Sequence, residues 1–443
     1  MNDQEAFELL RRANPVRVDD LDIEQAADID ALLRRATRSG YETQPIRDHG
    51  RRTTWLVVTS AVLVLGVVAP FAEGAFDHVR SWIGGGGAVV GVRSGAKLAA
   101  IRANGIVTSA APDGHGGWFV SGGFTRIQGQ PRAHLAHILR DGRLDPRWRA
   151  SLSGPSPARY IWATLLVRRQ TVYVAGAFHR VDGHARGDVV ALNATTGRLV
   201  PRWRARVRAL DGITSLALVA GRLVVGGVGA LAADGHIRHC AIALRASDGA
   251  FDRGFHPRIA EVGDVPCVSA MAVVDDRVYV GGIFTAVDGV PRQGLAALHP
   301  ATGSLINAFH PPRLRCRTCR VLHLGVTALA ASHDRLFVGG LFTSIGGVAR
   351  RGLAAFDPAT GQVIPSWRAD VQPSSVLGMV VVGDRVYLGG AFRTVAHTPR
   401  RRFAAVSAAT GRVLPSWSPS PRIDYLLALA LSRTRLLAAG AAH

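Results

Sequence analysis

Apolar residues fall in short runs along most of the chain, and the runs come in pairs. Val268 to Val273 (VSAMAV) and Val326 to Ala331 (VTALAA) are each followed by a polar turn, Asp275-Asp276 or His333-Asp334, and then by RVYVGG or RLFVGG. β-Branched and aromatic residues in runs this short, bounded by turn residues, predict antiparallel strands. The glycine pair at the end of the second run permits a close backbone approach or a bulge. A loop containing glycine and ending in arginine leads to a third run, LAAL or LAAF. Ala-Thr-Gly then turns the chain into a fourth that carries Trp148, Trp203, Trp367 or Trp417.

This pattern is one unit copied. RVYVGGIFTAVDGVPRQGLAALHPATG (277–303), RLFVGGLFTSIGGVARRGLAAFDPATG (335–361) and RVYLGGAFRTVAHTPRRRFAAVSAATG (385–411) differ only in decoration, and more worn copies begin at Trp118, Thr171 and Arg222. A seventh starts at Arg435 and stops at His443. The glycine closing the second run recurs at Gly123, Gly176, Gly227, Gly282, Gly340, Gly390 and Gly440, a spacing of 50 to 58 residues. Four strands in about 50 residues make one blade of a β-propeller. A blade buries its faces only against neighbours, so the array must close or be capped. The C-terminal copy supplies two strands and residues 92–101, VRSGAKLAAI, resemble a displaced third. Joined in one blade they remove the open edge, although that blade then lacks a fourth strand. The expectation is an all-β propeller of seven four-stranded blades over residues 89–443, with six or eight as alternatives.

One stretch breaks the pattern. From Trp55 to Ala72 the sequence WLVVTSAVLVLGVVAPFA carries no charge, and 18 helical residues at about 1.5 Å each span roughly one hydrocarbon core. A cleaved signal peptide is the rival reading, but its charged leader would then be 54 residues long. Arg47, Arg51 and Arg52 precede the run and Glu73 and Asp77 follow it, which holds the N-terminus in the cytoplasm. The expected organisation is a cytoplasmic tail (1–52) with two short helix candidates, a membrane helix (53–76), a Gly-rich linker (77–88) and an extracytoplasmic propeller. The tail reads as a partly disordered aid to insertion or as a docking peptide.

The YVGGxFT…G…R…LAALDPATG…P.W pattern resembles the delta-60-type propeller repeats of bacterial surface and secreted proteins, and more distantly kelch and Rax2-like propellers. It covers residues 90 to 443. The resemblance implies a scaffold and no uniform activity.

Charge and cysteines refine this picture. Residues 1–52 hold nine arginines and eleven acids, net −2, leaving 44 basic and 21 acidic residues, net +23, beyond them. Such a surface attracts polyanions in a salt-dependent manner, although Lys97 as the one lysine fits codon bias as well as selection. Cys240, Cys267, Cys316 and Cys319 all lie beyond the membrane run, where disulfides persist. Cys240 opens a third strand and Cys267 precedes the next first strand, so a bridge between adjacent blades is expected. Cys316 and Cys319 form a CxxC, read as a structural bridge with redox chemistry or half a zinc site as alternatives.

Residues that recur in every unit read as architecture. Arg132, Arg186, Arg238, Arg292, Arg350 and Arg400 suggest turn or inter-blade ion pairs, with a ring around a central ligand as the alternative. Phe124, Phe178, Phe284, Phe342 and Phe392 and the tryptophans suggest packing between blades. Residues that break the repeat are the candidates for binding. They sit in the loops from the tryptophan strand to the next first strand: Tyr160, Trp162, Asp211, Glu261, Asp264, Arg313, Arg315, Arg317, Arg320, His323, Asp370, Asp424 and Tyr425. The acids among them could form the carboxylate pair of a glycosidase or a calcium site only if the loops converge. No catalytic, phosphate-loop or cofactor motif is found. The expected function is a non-catalytic binding or scaffolding module for a protein, a glycan or an anionic envelope polymer, with no specific nucleic-acid partner. The alternatives are a transmembrane sensor and a glycosidase-like or quinoprotein-like enzyme.

Overall fold

The computed structural model describes residues 84–154, 163–209, 212–261, 267–316, 325–373, 376–419, 423 and 425–442. The cytoplasmic tail and the expected membrane helix lie outside the described residues. Within those there is no helix, and so none long and apolar enough to cross a membrane.

Each repeat folds as an antiparallel meander with its second strand in the middle. In the fourth unit Ala270–Val274 pairs with Arg277–Gly281, which pairs with Leu295–Leu298; in the fifth the order is Gly325–Ala331, Leu336–Leu341, Leu353–Phe356. Asp275 and Asp276 both have positive φ, 47° and 54°. That is the type I′ turn whose twist matches a two-residue hairpin. The third unit differs in that Arg222–Ala233 and His236–Arg245 run on as one long hairpin.

The fourth strand is far shorter than its pattern suggests. In the six complete units it is reduced to one bridge, such as Leu298 with Leu305 or Phe356 with Val363, and the tryptophan, where present, lies beyond it. Pro146, Pro201, Pro365 and Pro415 stand between bridge and tryptophan, and proline has no N–H to continue a ladder. The indole instead packs under the next unit. Trp203, Trp367 and Trp417 donate their Nε1–H to the carbonyls of Ala246, Ser407 and Gly91, each in the following sheet, at 3.1 to 3.2 Å. Trp148, Trp367 and Trp417 are fully buried, as are the recurring phenylalanines, and Phe255 and Phe309 fill the same place in the two units without tryptophan. Burying each such ring contributes about 1.5–3 kcal/mol.

Among the described residues seven sheets share this plan, and their first strands touch in a circuit. Val107–Pro112 packs against Ala163–Arg168, and so on through Ile213–Val219, Ala270–Val274, Gly325–Ala331, Val376–Val382 and Tyr425–Ser432, which returns to Val107–Pro112. Sheets stacked edge-inward around an axis are a β-propeller.

The closing sheet corrects the reading of the N-terminal residues. Its order is Tyr425–Ser432, Arg435–Ala442, Gly84–Gly91, Lys97–Ala103. The third strand is the glycine run 84–91, expected in part as linker, and residues 97–103 make the fourth strand rather than the third. Gly86 and Gly87 carry no side chain because none fits: a Cβ would lie 2.2 Å from the Ile101 carbonyl oxygen and 2.6 Å from that of Ala438.

Among the described residues the recurring arginines make neither ion pairs nor a central ring. All six donate Nη1–H to the carbonyl of the preceding residue, and Arg350 and Arg400 also reach the Pro365 and Pro415 carbonyls before the tryptophans. In these two units the guanidinium clamps the proline segment, which has lost its own ladder bonds.

Cys240 and Cys267 are joined, with Cα atoms 5.5 Å apart, tying the third unit to the fourth. Closing a loop of this length contributes about 3.5 kcal/mol in the chain-entropy account. Cys316 is disulfide-bonded as well, and Cys319 lies outside the described residues.

Candidate functional site

Strand direction alternates within each sheet, so the turns between first and second strands and between third and fourth strands gather at one end of the ring. The hairpins between second and third strands gather at the other, together with the crossovers that leave each tryptophan for the next unit. Each crossover is captured by the hairpin of the unit it enters. Leu152–Ser153 pairs with Arg180–Val181, Ile259–Glu261 with Phe284–Val287, Leu314–Arg315 with Ser344–Ile345, and Val371–Gln372 with Thr394–Val395.

Of the candidate binding residues, Glu261, Arg313, Arg315 and Asp370 are described and lie on these crossovers. Arg313 and Arg315 are exposed there, with Leu314 buried between them. Asp370 accepts the Arg351 backbone N–H on its Oδ1 at 2.8 Å, which stiffens the crossover. Glu261 and Tyr425 are placed in strands by their backbones alone. Tyr160, Trp162, Asp211, Asp264, Arg317, Arg320, His323 and Asp424 lie outside the described residues.

The carboxylates divide unevenly between the two ends. At the turn end they pin turns and pair with arginines: Arg143 with Asp141, Arg222 with Asp252, Arg245 with Asp248, Arg335 with Asp334, Arg385 with Asp384. At the crossover end, among the described residues, an Arg–Asp pair forms between Arg258 and Asp288 at 3.7 Å. Burial pushes the Asp188 carboxyl there up, above the ordinary range, against a backbone hydrogen bond from Ala209 that opposes it. Arg206, Arg208, Arg313, Arg315, Arg351 and Arg393 are all exposed on this end.

Within the ring is a cavity of about 330 Å³, lined by every first strand of the circuit. A bulge recurs one residue into most of these strands, between Val107 and Ser109, Ile213 and Ser215, Val326 and Ala328, Val376 and Gly378, and Leu426 and Ala428. It re-aims the extra residue, which is Thr108, Thr214 and Thr327 in three units and Leu377 and Leu427 in the last two. The hydroxyls are spent on the frame. Thr214 donates to the Val268 carbonyl, and Thr327 to the Val376 carbonyl at 2.6 Å, each a carbonyl of the next unit. Among the described residues no charged side chain lines this cavity. The threonines recur at one repeat position, a signal present in the sequence but obscured by the worn copies.

A buried titratable cluster sits away from both features. His137 bridges Asp113, at 3.1 Å from Nε2, and Asp145, at 2.9 Å from Nδ1, and stacks on Phe119 with centroids 4.4 Å apart. Burial pushes the Asp113 carboxyl up, but His137 and the backbone N–H groups of His115 and Gly117 outweigh it and hold the carboxyl below its ordinary range. Asp145 is depressed in the same way, burial being outweighed by Arg147 N–H and His137. Depressed carboxyls contribute stability above their unfolded pKa that is lost as pH falls through the folded one. Acid unfolding is therefore expected to steepen below about pH 4. Asp113→Ala should cost about 3 kcal/mol at pH 7, and the gap from the parent should shrink at pH 3. Urea midpoints at the two pH values check this, and a pH-independent gap would contradict it.

The chain matches no protein-family model and no curated protein. Among solved structures it is similar to the computationally designed Ika8 protein, at 16% identity over 80% of this chain and 93% of that one, with a TM-score of 0.42. It is also similar to BamB from Moraxella catarrhalis, at 16% identity over 81% and 91% with a TM-score of 0.39. A third is the WD40 β-propeller domain of Doa1, at 9% identity over 77% and 94% with a TM-score of 0.39. The propeller architecture itself is read from the strand order and the circuit of first strands.

Proposed function

We propose that this chain is a membrane-anchored, extracytoplasmic, seven-bladed propeller of the delta-60 type whose crossover end binds an anionic polymer of the cell envelope. The observation that carries the reading is the division of carboxylates. Among the described residues the turn end forms five Arg–Asp pairs and the crossover end one, and at the crossover end Arg206, Arg313, Arg315 and their neighbours face solvent. Clustered cations on one face raise the local concentration of a polyanion and release its counterions on contact. The uncharged cavity offers no such attraction, which favours a surface-bound ligand.

Binding of full-length protein in detergent to purified anionic wall polymer is expected to fall at least about 100-fold as salt rises from roughly 50 to 200 mM. Replacing Arg313, Arg315, Arg317 and Arg320 with serine should lower the slope of log affinity against log salt by about 3. An unchanged affinity and slope would remove this loop as the contact. The anchoring half of the proposal rests on the uncharged run from Trp55 to Ala72. A reporter fused after His443 should be active only when it is a reporter that works outside the cytoplasm, and the opposite pattern overturns the orientation.

A further inference from the structure

We infer that the groove between the hairpins of the fifth and sixth units is a discrete site for one tetrahedral oxyanion of the phosphate class, gripped from both sides by Arg351 and Arg393. The inference deepens the polyanion reading of the crossover end and rests on it for the choice of polymer. The groove encloses about 480 Å³ and is lined by Thr343, Arg351, Gln372, Pro373, Arg393 and Thr394.

Both arginines are registered on the same two-residue crossover strand. The Val371 N–H donates to the Arg351 carbonyl at 2.9 Å, and the Arg393 N–H donates to the Gln372 carbonyl at 2.8 Å. Val371–Gln372 is itself laddered to Thr394–Val395. The spacing of the two side chains is thus set by backbone hydrogen bonds and not by loop flexibility, which lowers the ordering cost of a ligand held between them. Both guanidiniums are exposed, and among the described residues neither has an ion-pair or hydrogen-bond partner. Asp370, just before the crossover strand, accepts the Arg351 backbone N–H on its Oδ1. Thr394 adds a hydroxyl and Gln372 an amide, donors of the kind that complete a tetrahedral anion's shell.

Arg393 breaks the repeat, and Arg351 shares its residue type with one other unit. The position of Arg351 is Ala133, Gly187, His239, Gln293 and Arg401 in the other complete units, and that of Arg393 is Thr125, His179, Thr285 and Thr343 where the motif is kept. Of the grooves between complete units, this one alone has arginine on both walls at these positions.

The test uses full-length protein in detergent with two probes, inorganic phosphate and a poly(glycerol phosphate) polymer, followed by calorimetry. Saturable one-site binding of inorganic phosphate is expected, weakened at least 10-fold by Arg393→Ser and again by Arg351→Ser. Arg393→Lys keeps the charge but loses the planar fork, so it should recover only a minor part of the loss. Polymer binding by the double serine variant should lose about 1 to 2 from the salt slope. Absence of saturable phosphate binding, or phosphate binding unchanged in the double variant, overturns the groove site even if the polymer still binds. Phosphate binding that depends on both arginines, without any polymer binding, upholds the site as one for a free anion and overturns the polymer reading alone.

Discussion

A chain lacking residues 84–91 is expected to lose cooperative folding altogether, although it keeps every complete copy of the repeat. The strand Gly84–Gly91 is paired along both edges, with Arg435–Ala442 across eight positions and with Lys97–Ala103 on the other side. Its faces belong to two different cores. Val89 packs with Trp118, Phe124 and Ile127 of the first unit, while Ala88 and Val90 pack with Tyr387, Phe403 and Trp417 of the sixth. Tyr387 donates its hydroxyl to the Val92 carbonyl at 2.6 Å and Trp417 its indole N–H to that of Gly91. Removing the strand cuts the ring where its two ends meet and leaves Arg435–Ala442 as an open edge able to pair with another molecule. The loss should exceed the ~5–15 kcal/mol by which a domain is stable. Urea unfolding and size-exclusion chromatography check this: a monomer with an unchanged midpoint would show that closure does not depend on the glycine strand. A gentler form of the same test is Gly85→Ala, whose Cβ would fall 1.9 Å from the Gly105 carbonyl oxygen.

The second large effect concerns the glycine that closes each second strand. Gly282 packs directly on the backbone that enters its own first strand, so that a Cβ would stand 2.0 Å from the Cys267 carbonyl oxygen and 3.0 Å from the Val268 Cα. Gly340 repeats the arrangement, with the Gly325 carbonyl oxygen at 2.2 Å. Neither contact can relax by a side-chain rotation, because both partners are main chain. The Cys267 backbone is further held by its disulfide to Cys240. Gly282→Ala is therefore expected to cost more than about 4 kcal/mol, in the range reserved for a specific steric fault. Gly289→Ala is the control. Gly289 needs its left-handed φ of 79° but has nothing within 4 Å of a Cβ, so the cost there is about 1–2 kcal/mol. Equal urea midpoints for the two variants would show that close approach is not what the second-strand glycine provides.

Much of this architecture is legible in the residues. The unit boundaries, the strand pairs, the two-residue turn at Asp275-Asp276 and the packing roles of phenylalanine and tryptophan follow from local alternation repeated at one spacing. The Cys240–Cys267 bridge follows from the same register, because each cysteine has a fixed place relative to a strand. What periodicity encodes is local, and those features depend only on neighbours within a unit or the next copy.

The tertiary structure alone decided the rest. A run of glycines has no side-chain pattern, so Gly84–Gly91 reads as linker until Arg435–Ala442, some 350 residues away in the chain, supplies its partner. The recurring arginines read as ion-pairing groups because charge is what a sequence displays. Their partners are backbone carbonyls, which no residue type announces. Arg350 and Arg351 are adjacent and chemically identical, yet one is buried against the Pro365 carbonyl and the other stands open in a groove opposite Arg393. Which of two neighbouring arginines serves the frame and which faces a ligand is set by the alternation of the strand and by the crossover that docks beside it. That contact joins segments distant in sequence, and only folding brings them together.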